Sequence, residues 1–293
     1  MDNVGELFVS AIAKEGSAAI EKFNQGMRTW VETELIDKSI LRKVLMVSHE
    51  RPVPVPGGLG YPFGKLAPNV DGVMVTGEFP SIKPSIVRQS VVPAVLIKVL
   101  NGHVADMDEL RAVTDMGVWI RGKVTDEIGF RENQLLMTAL VAAHGSPQSI
   151  TTASGSFEPS AVPIIKNLIS TNDLKAATII IKESDYNNIS SWDNVKASDQ
   201  KLDKIWDKGE LAVTEFAGLN IIPLQDRVFT KAGSTADGYV LAQKEFLGFL
   251  LEGTPLSVVA EKEKNLTYLF HAGQSLGLAI MNTNAVRGFT MTK

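Results

Sequence analysis

The sequence contains no cysteine, which excludes disulfides, thiolate zinc centres, iron–sulfur clusters and cysteine nucleophiles. Histidine is scarce, with four in the chain, so imidazole chemistry has few places to sit. Charge of neither sign dominates: 29 basic against 33 acidic residues leave a net charge of -4, too balanced to advertise a nucleic-acid groove or an anionic membrane surface. No apolar run approaches the ~20 residues that span a bilayer, and the opening MDNVGELF lacks the basic and apolar regions of a signal peptide. These absences predict a soluble chain made in the cytoplasm, with no membrane partner. What is present is a core: 293 residues, 44% of them hydrophobic, fold into a globular protein.

The first segment carries Val4, Leu7, Phe8, Ala11, Ile12, Ile20, Phe23, Met27, Trp30 and Leu35 at roughly helical spacing, interrupted by Gly5, Gly16 and Gly26. It reads as a broken amphipathic arm, packed on its own domain or on a neighbouring subunit. Arg51 to Pro93 then holds eight of the 13 prolines and six of the 24 glycines, a density no helix survives. Two β-rich runs within it, Val70 to Thr76 and Ile86 to Val92, predict a long two-stranded arm with proline-stiffened flanks. Such a ribbon is marginal alone and needs a surface to pack on, in its own subunit or in another copy.

After the strand-like AVLIKVL (Ala94 to Leu100), Leu110, Val113, Ile120, Val124, Ile128 and Leu135 recur at helical spacing, predicting one long helix or two nearly continuous ones that HGSPQS ends. A short helix is expected near Pro163 to Ser170 and a strand at AATIIIK (Ala176 to Lys182). Asp193 to Lys208 is polar with a sparse apolar stripe, and reads as an excursion or a surface helix. Short strands follow at LAVTEF, LNIIPL, GYVLAQ and LSVVAE, with turn signals at Gly218, Gly238 and Gly253. This is not the regular alternation of a doubly wound sheet, so the fold class is α+β.

One motif suggests catalysis. GQSLG, Gly273 to Gly277, fits the G-x-S-x-G nucleophile elbow and would make Ser275 the nucleophile of a serine hydrolase. An α/β-hydrolase places its acid and then its histidine after that serine, and no Asp, Glu or His follows Ser275. His271 precedes it, and His49, His103 and His144 lie far upstream. LGLAIMN after the serine reads as a strand with Leu276, Leu278 and Ile280 on one face and the small Gly277 and Ala279 on the other. Among possible metal ligands, His103, Asp106, Asp108 and Glu109 cluster, but the acids suit a helix N-terminus. GGLG at Gly57 to Gly60 leads into proline rather than a lysine and a helix, so it is no phosphate cradle. Asp126 and Glu127 read as a solvated helix face. No catalytic, metal or cofactor site is assigned, and no enzymatic activity is expected.

The order of elements resembles the major capsid protein family of tailed phages, the Hong Kong 97-type fold that encapsulin nanocompartments share. The resemblance runs from about Leu41 to the end. It rests on the arm, the extended loop from RPVPVPGG to SVVP, and the spine helix ending in FRENQLLMTAL, with the acidic-Asn pair Glu132 and Asn133 late in it. KAATIIIKESDYNNI, FAGLNIIPL and the closing YLFHAGQSLGLAIMNTNAVRGFTM add to it, the last with Gly277, Ile280, Asn282, Ala285 and Val286 at matching places.

The resemblance implies an N-terminal arm at 1–48, an extended β loop at 49–93, a peripheral domain at 94–160 with its spine helix at about 106–140, an axial domain at 161–254, and return strands of the peripheral domain at 255–293. It further implies a subunit that associates with itself into pentamers and hexamers and closes into an icosahedral shell around double-stranded DNA contacted non-specifically. Scaffolding, portal and decoration proteins would be further partners, and the location would be the virion, assembled in host cytoplasm. Some members crosslink a loop lysine to an asparagine of another subunit, roles for which Lys83 and Asn282 or Asn284 are the positions to consider. The alternative is an encapsulin-like shell enclosing cargo proteins.

Overall fold

The structure is a computed structural model that describes residues 39–48, 53–55, 58–65, 88–93, 95–105, 116–144, 146–192, 215–262 and 268–293, with 21, 25, 26, 28, 29, 31–33 and 35. The run Val70 to Thr76, the acids Asp106, Asp108 and Glu109, Lys83, His49 and the stretch Asp193 to Lys208 lie outside them.

The long helix is confirmed. α2 runs Met116–Ala143 after a short α1 (Ile40–Val44), and its 28 residues span about 42 Å. Its inner row, Val124, Ile128, Leu136 and Leu140, is spaced at fours and buried. The expected start near 106 lies outside the described residues, and the helix ends three residues past the expected 140, before His144.

This spine lies against a four-stranded sheet in the order β1 (Met46–Ser48), β11 (Gly248–Lys262), β12 (Tyr268–Ile280) and β5 (Val95–Ala105). β1 pairs parallel to β11, and the other neighbours are antiparallel. Ile40, Leu41, Val44 and Leu45 belong to the hydrophobic core, and Val31 and Leu35 are buried too. The inner end of the segment read as an arm therefore packs on its own subunit.

A second sheet has six strands in the order β6 (Gln148–Thr151), β13 (Val286–Thr292), β10 (Gly238–Ala242), β7 (Ala176–Lys182), β9 (Leu219–Leu224) and β8 (Glu215–Phe216). β7 is central, which explains its uninterrupted apolar run: Ile179, Ile180 and Ile181 are all fully buried, on both faces. α3 (Ala161–Ser170) covers one side through Ala161, Val162, Ile165 and Ile169. α4 (Glu183–Tyr186) follows β7, and α5 (Asp226–Lys231) packs on the spine, where the Arg227 guanidinium lies 4.0 Å above the Phe130 ring centre. The buried Trp192 indole donates to the Phe157 carbonyl at 3.0 Å and meets Phe216 edge-on. A last short helix, α6 (Lys244–Leu247), leads into β11.

Three expectations need correction. The extended segment is not a two-stranded ribbon: β2 (Val53–Val55), β3 (Gly58–Lys65) and β4 (Arg88–Pro93) form a three-stranded antiparallel sheet. The glycine- and proline-rich GLGYPFGK is its middle strand. Pro54 sits on the edge strand, and Pro62 lies past the Val53↔Gly60 end of the β2 ladder, so neither removes a central rung on both sides. Of the turn signals only Gly218 marks one, with φ +74°. Gly238 opens β10, where a Cβ would stand 2.5 Å from the Phe289 ring, and Gly253 lies at an irregularity in β11. β11 runs through position 254, and the described residues after it contribute to both the four-stranded sheet and, through β13, the six-stranded sheet.

Candidate functional site

The strongest polar constellation lies where α1, the spine and the four-stranded sheet meet. Glu132 occupies the inner row of the spine, four residues after Ile128 and four before Leu136, and is fully buried. A carboxylate there is costly unless paired and hydrogen-bonded. Arg42 of α1 meets it with two donors, Nη2 to Oε1 at 2.9 Å and Nε to Oε2 at 3.3 Å, and reaches Glu252 of β11 through Nη1 at 2.5 Å. Gln274 of β12 completes the group: its Nε2 donates to Glu132 Oε1 at 2.5 Å, and its Oε1 accepts from Arg42 Nη2 at 3.3 Å.

Next to it, Asn133 Oδ1 accepts the Ile40 N–H at 3.0 Å, so the spine caps the start of α1 from a distance of 93 residues. Burial opposes charge on Arg42, and the carboxylates of Glu132 and Glu252 outweigh it, holding the guanidinium firmly charged. One arginine thus fastens four elements. The geometry offers a preorganised clamp with its donors and acceptors already consumed by one another, not a reactive centre.

Glu132 and Asn133 stood out in the sequence as a pair, and the structure gives each a task. Arg42, Glu252 and Gln274 went unnoticed, although a physical signal exists for the first two. Arg42, with Lys43, interrupts ILRKVL, and Glu252 closes the apolar run FLGFLL, and a charge set against apolar neighbours calls for a partner where it is buried. Gln274 was hidden inside GQSLG.

Ser275 lies in the middle of β12, paired with Leu96 of β5 and Thr254 of β11, and is 8% exposed. An elbow needs a sharp turn between strand and helix, and here an extended strand runs through the motif from Tyr268 to Ile280. His271 is on the same strand, opposite Leu100, and His144 accepts the Gly288 N–H through Nδ1 at 3.1 Å. Leu276 is buried in the core, with Leu278 and Ile280 packed against it, as alternation predicts.

The remaining candidates are scattered. His103 is in β5, and no group of three metal-ligating side chains gathers among the described residues. Asp126 is exposed, and Glu127 pairs with Arg131 one turn on, a solvated helix face. Asn282 Oδ1 accepts the Asn284 N–H at 2.9 Å, and Asn284 Oδ1 accepts from Arg287 at 3.2 Å. An open groove over β7 and β9 is lined by Lys43, Thr178, Asn220, Ile222 and Lys244; its wall holds no histidine, and its one carboxylate is the exposed Glu245.

No family model and no curated protein matches the sequence. Solved structures resemble it in fold. It is similar to the capsid of an empty GTA particle, at 12% identity and a TM-score of 0.55, over 87% of this chain and 90% of that one. Microbacterium phage Oxtober96 gives 10% identity and a TM-score of 0.55 over 86% and 90% of the two chains. A virus-like particle from Pyrococcus furiosus gives 14% and 0.52 over 89% and 98%. The chain has the Hong Kong 97-type capsid fold that the order of its elements suggested.

Proposed function

We propose that this chain is the structural subunit of a phage capsid and assembles with copies of itself, through pentamers and hexamers, into an icosahedral shell around double-stranded DNA. The observation that carries the reading is the extent of the fold likeness, which covers most of this chain and most of each particle subunit it resembles. The chemistry agrees with it. The best-built polar group is a clamp that joins elements of one subunit, and a wall needs rigidity rather than a reactive side chain. A small net charge also suits a container, because DNA confined by a closed shell needs no sequence readout.

The three-stranded sheet β2–β3–β4, built from the extended proline-rich segment, is the element proposed to lie on a neighbouring subunit. Scaffolding, portal and decoration proteins, assembly in host cytoplasm, and the division into arm, extended loop, peripheral and axial parts belong to the same proposal. An encapsulin-like shell around cargo proteins is the second reading, motivated by the same fold, and it is not favoured over the first.

Negative-stain electron microscopy of the expressed protein tests the proposal. Closed shells tens of nanometres across are expected. A protein that stays monomeric under every assembly condition would refute it. Particles isolated from infected cells separate the two versions: nuclease-protected DNA supports the capsid, and enclosed protein cargo the alternative.

A further inference from the structure

His144 lies just past the C-terminal end of the spine, its own N–H donating to the Leu140 carbonyl at 2.9 Å. Its ring turns toward the six-stranded sheet, where Nδ1 accepts the Gly288 N–H at 3.1 Å. The ladder between β13 and β6 starts at Phe289↔Gln148, one residue later. The imidazole therefore supplies an acceptor where strand pairing has not yet begun. At Gly288 a Cβ would stand a tight 3.2 Å from the Tyr239 ring and at an ordinary contact distance of 3.6 Å from Nδ1.

An imidazole that accepts at Nδ1 is neutral, with its proton on Nε2. Protonation converts Nδ1 from acceptor to donor and sets two N–H groups face to face. It also places a positive charge near Arg287 of β13, whose guanidinium is held by neutral groups: the carbonyls of Thr283 and Val286 and the side chains of Asn172 and Asn284. Among the described residues no carboxylate pairs with either cation. Asp237, just before β10, is occupied by Lys182 and the Met291 N–H. Tyr239, which packs against Gly288, exchanges a hydrogen bond with Ser234. The carbonyls at the spine's end favour a cation, and they stand alone against burial and Arg287.

We propose that His144 is a proton-sensitive fastener between the C-terminal end of the spine helix and strand β13, closed when neutral and released when charged. Burial, then the charge of Arg287, hold the imidazole below the ordinary histidine value of about 6.5, in agreement with that geometry. The direction follows from linkage. The unfolded chain takes up this proton near 6.5 and the folded chain only at lower pH, so stability falls as pH drops below about 6.5 and levels off below the folded value.

Hydrogen–deuterium exchange of the 286–292 segment in the full-length protein tests this, with protection corrected for the intrinsic pH dependence of exchange. In the wild type, protection is expected to fall roughly three- to tenfold between pH 7.5 and pH 5, the scale of one hydrogen bond. His144→Gln keeps an acceptor that does not titrate there, and should flatten the response. Arg287→Gln should move its midpoint to higher pH. A wild type without the response, a His144→Gln protein that retains it, or a midpoint unmoved by Arg287→Gln overturns the proposal. If His144→Gln does not fold, the wild-type and Arg287→Gln titrations decide it.

Discussion

Arg42 and Glu132 stand 90 residues apart in the sequence and meet through two hydrogen bonds, at 2.9 and 3.3 Å, with Glu132 sealed from solvent. Removing the arginine would leave a buried carboxylate with only Gln274 beside it. Arg42→Ala is therefore expected to cost about 3–5 kcal/mol, read from the denaturant midpoint of the unassembled subunit. Arg42→Lys should recover little, because a point charge cannot span both oxygens and still reach Glu252. Glu132→Gln should cost less than Arg42→Ala, since Arg42 keeps Glu252.

Two glycines predict opposite signs. Gly122 lies inside the spine with open space around its Cα, so Gly122→Ala should stabilise by about 0.5–1 kcal/mol. Gly248 begins β11 where a Cβ would stand 2.0 Å from the Ala279 carbonyl oxygen, so the backbone itself must move. Gly248→Ala is expected to destabilise by about 1–3 kcal/mol. Thermal unfolding of the two variants beside the wild type checks the pair, and equal shifts would contradict the packing described at β11 and β12.

The secondary structure was legible wherever burial enforces periodicity. AATIIIK and LNIIPL match β7 and β9 residue for residue, and the spine shows at every fourth position. β3 was hidden because Gly58, Gly60, Pro62 and Gly64 carry turn propensities that sheet pairing overrides. The clamp was hidden for another reason. Pairing over 90, 142 and 210 residues leaves no local pattern that joins the partners, and only charges set in apolar surroundings, Glu132 on the inner row of the spine above all, betray it.

Ala217 and Gly218 join β8 to β9 with φ of +53° and +74°, both left-handed. That two-residue turn suits Asn-Gly, and alanine bears a strain of about 1 kcal/mol there. Ala217→Asn should stabilise by up to that amount. An unchanged or lower unfolding midpoint would show that the strain is relieved elsewhere.

Asp185 provides a pH test. Burial, then the nearby Asp237 and Asp226, raise its carboxyl above the usual value, and Lys182 only partly offsets them. The folded chain therefore keeps this proton to higher pH than the unfolded chain, and stability declines as pH rises through about 3.8 toward the folded value. Asp185→Asn removes the penalty. Its unfolding midpoint should exceed the wild type's at pH 7, and the difference should shrink as pH falls to 4.

The Ser275 hydroxyl remains the sharpest test of whether GQSLG means chemistry. A serine nucleophile must stand clear of its strand so that base and substrate reach it from one side. Here β5 pairs with β12 through the motif and β11 pairs on the other side, with register shifts next to Thr254, so Ser275 stays inside the sheet between two partner strands. Ser275→Ala keeps the side chain small and removes only the oxygen. Labelling by a fluorophosphonate probe is expected to be absent in wild type and variant alike, with shell formation retained. Specific labelling of Ser275 that the variant abolishes would show that the strand opens to expose it, and would restore the hydrolase reading.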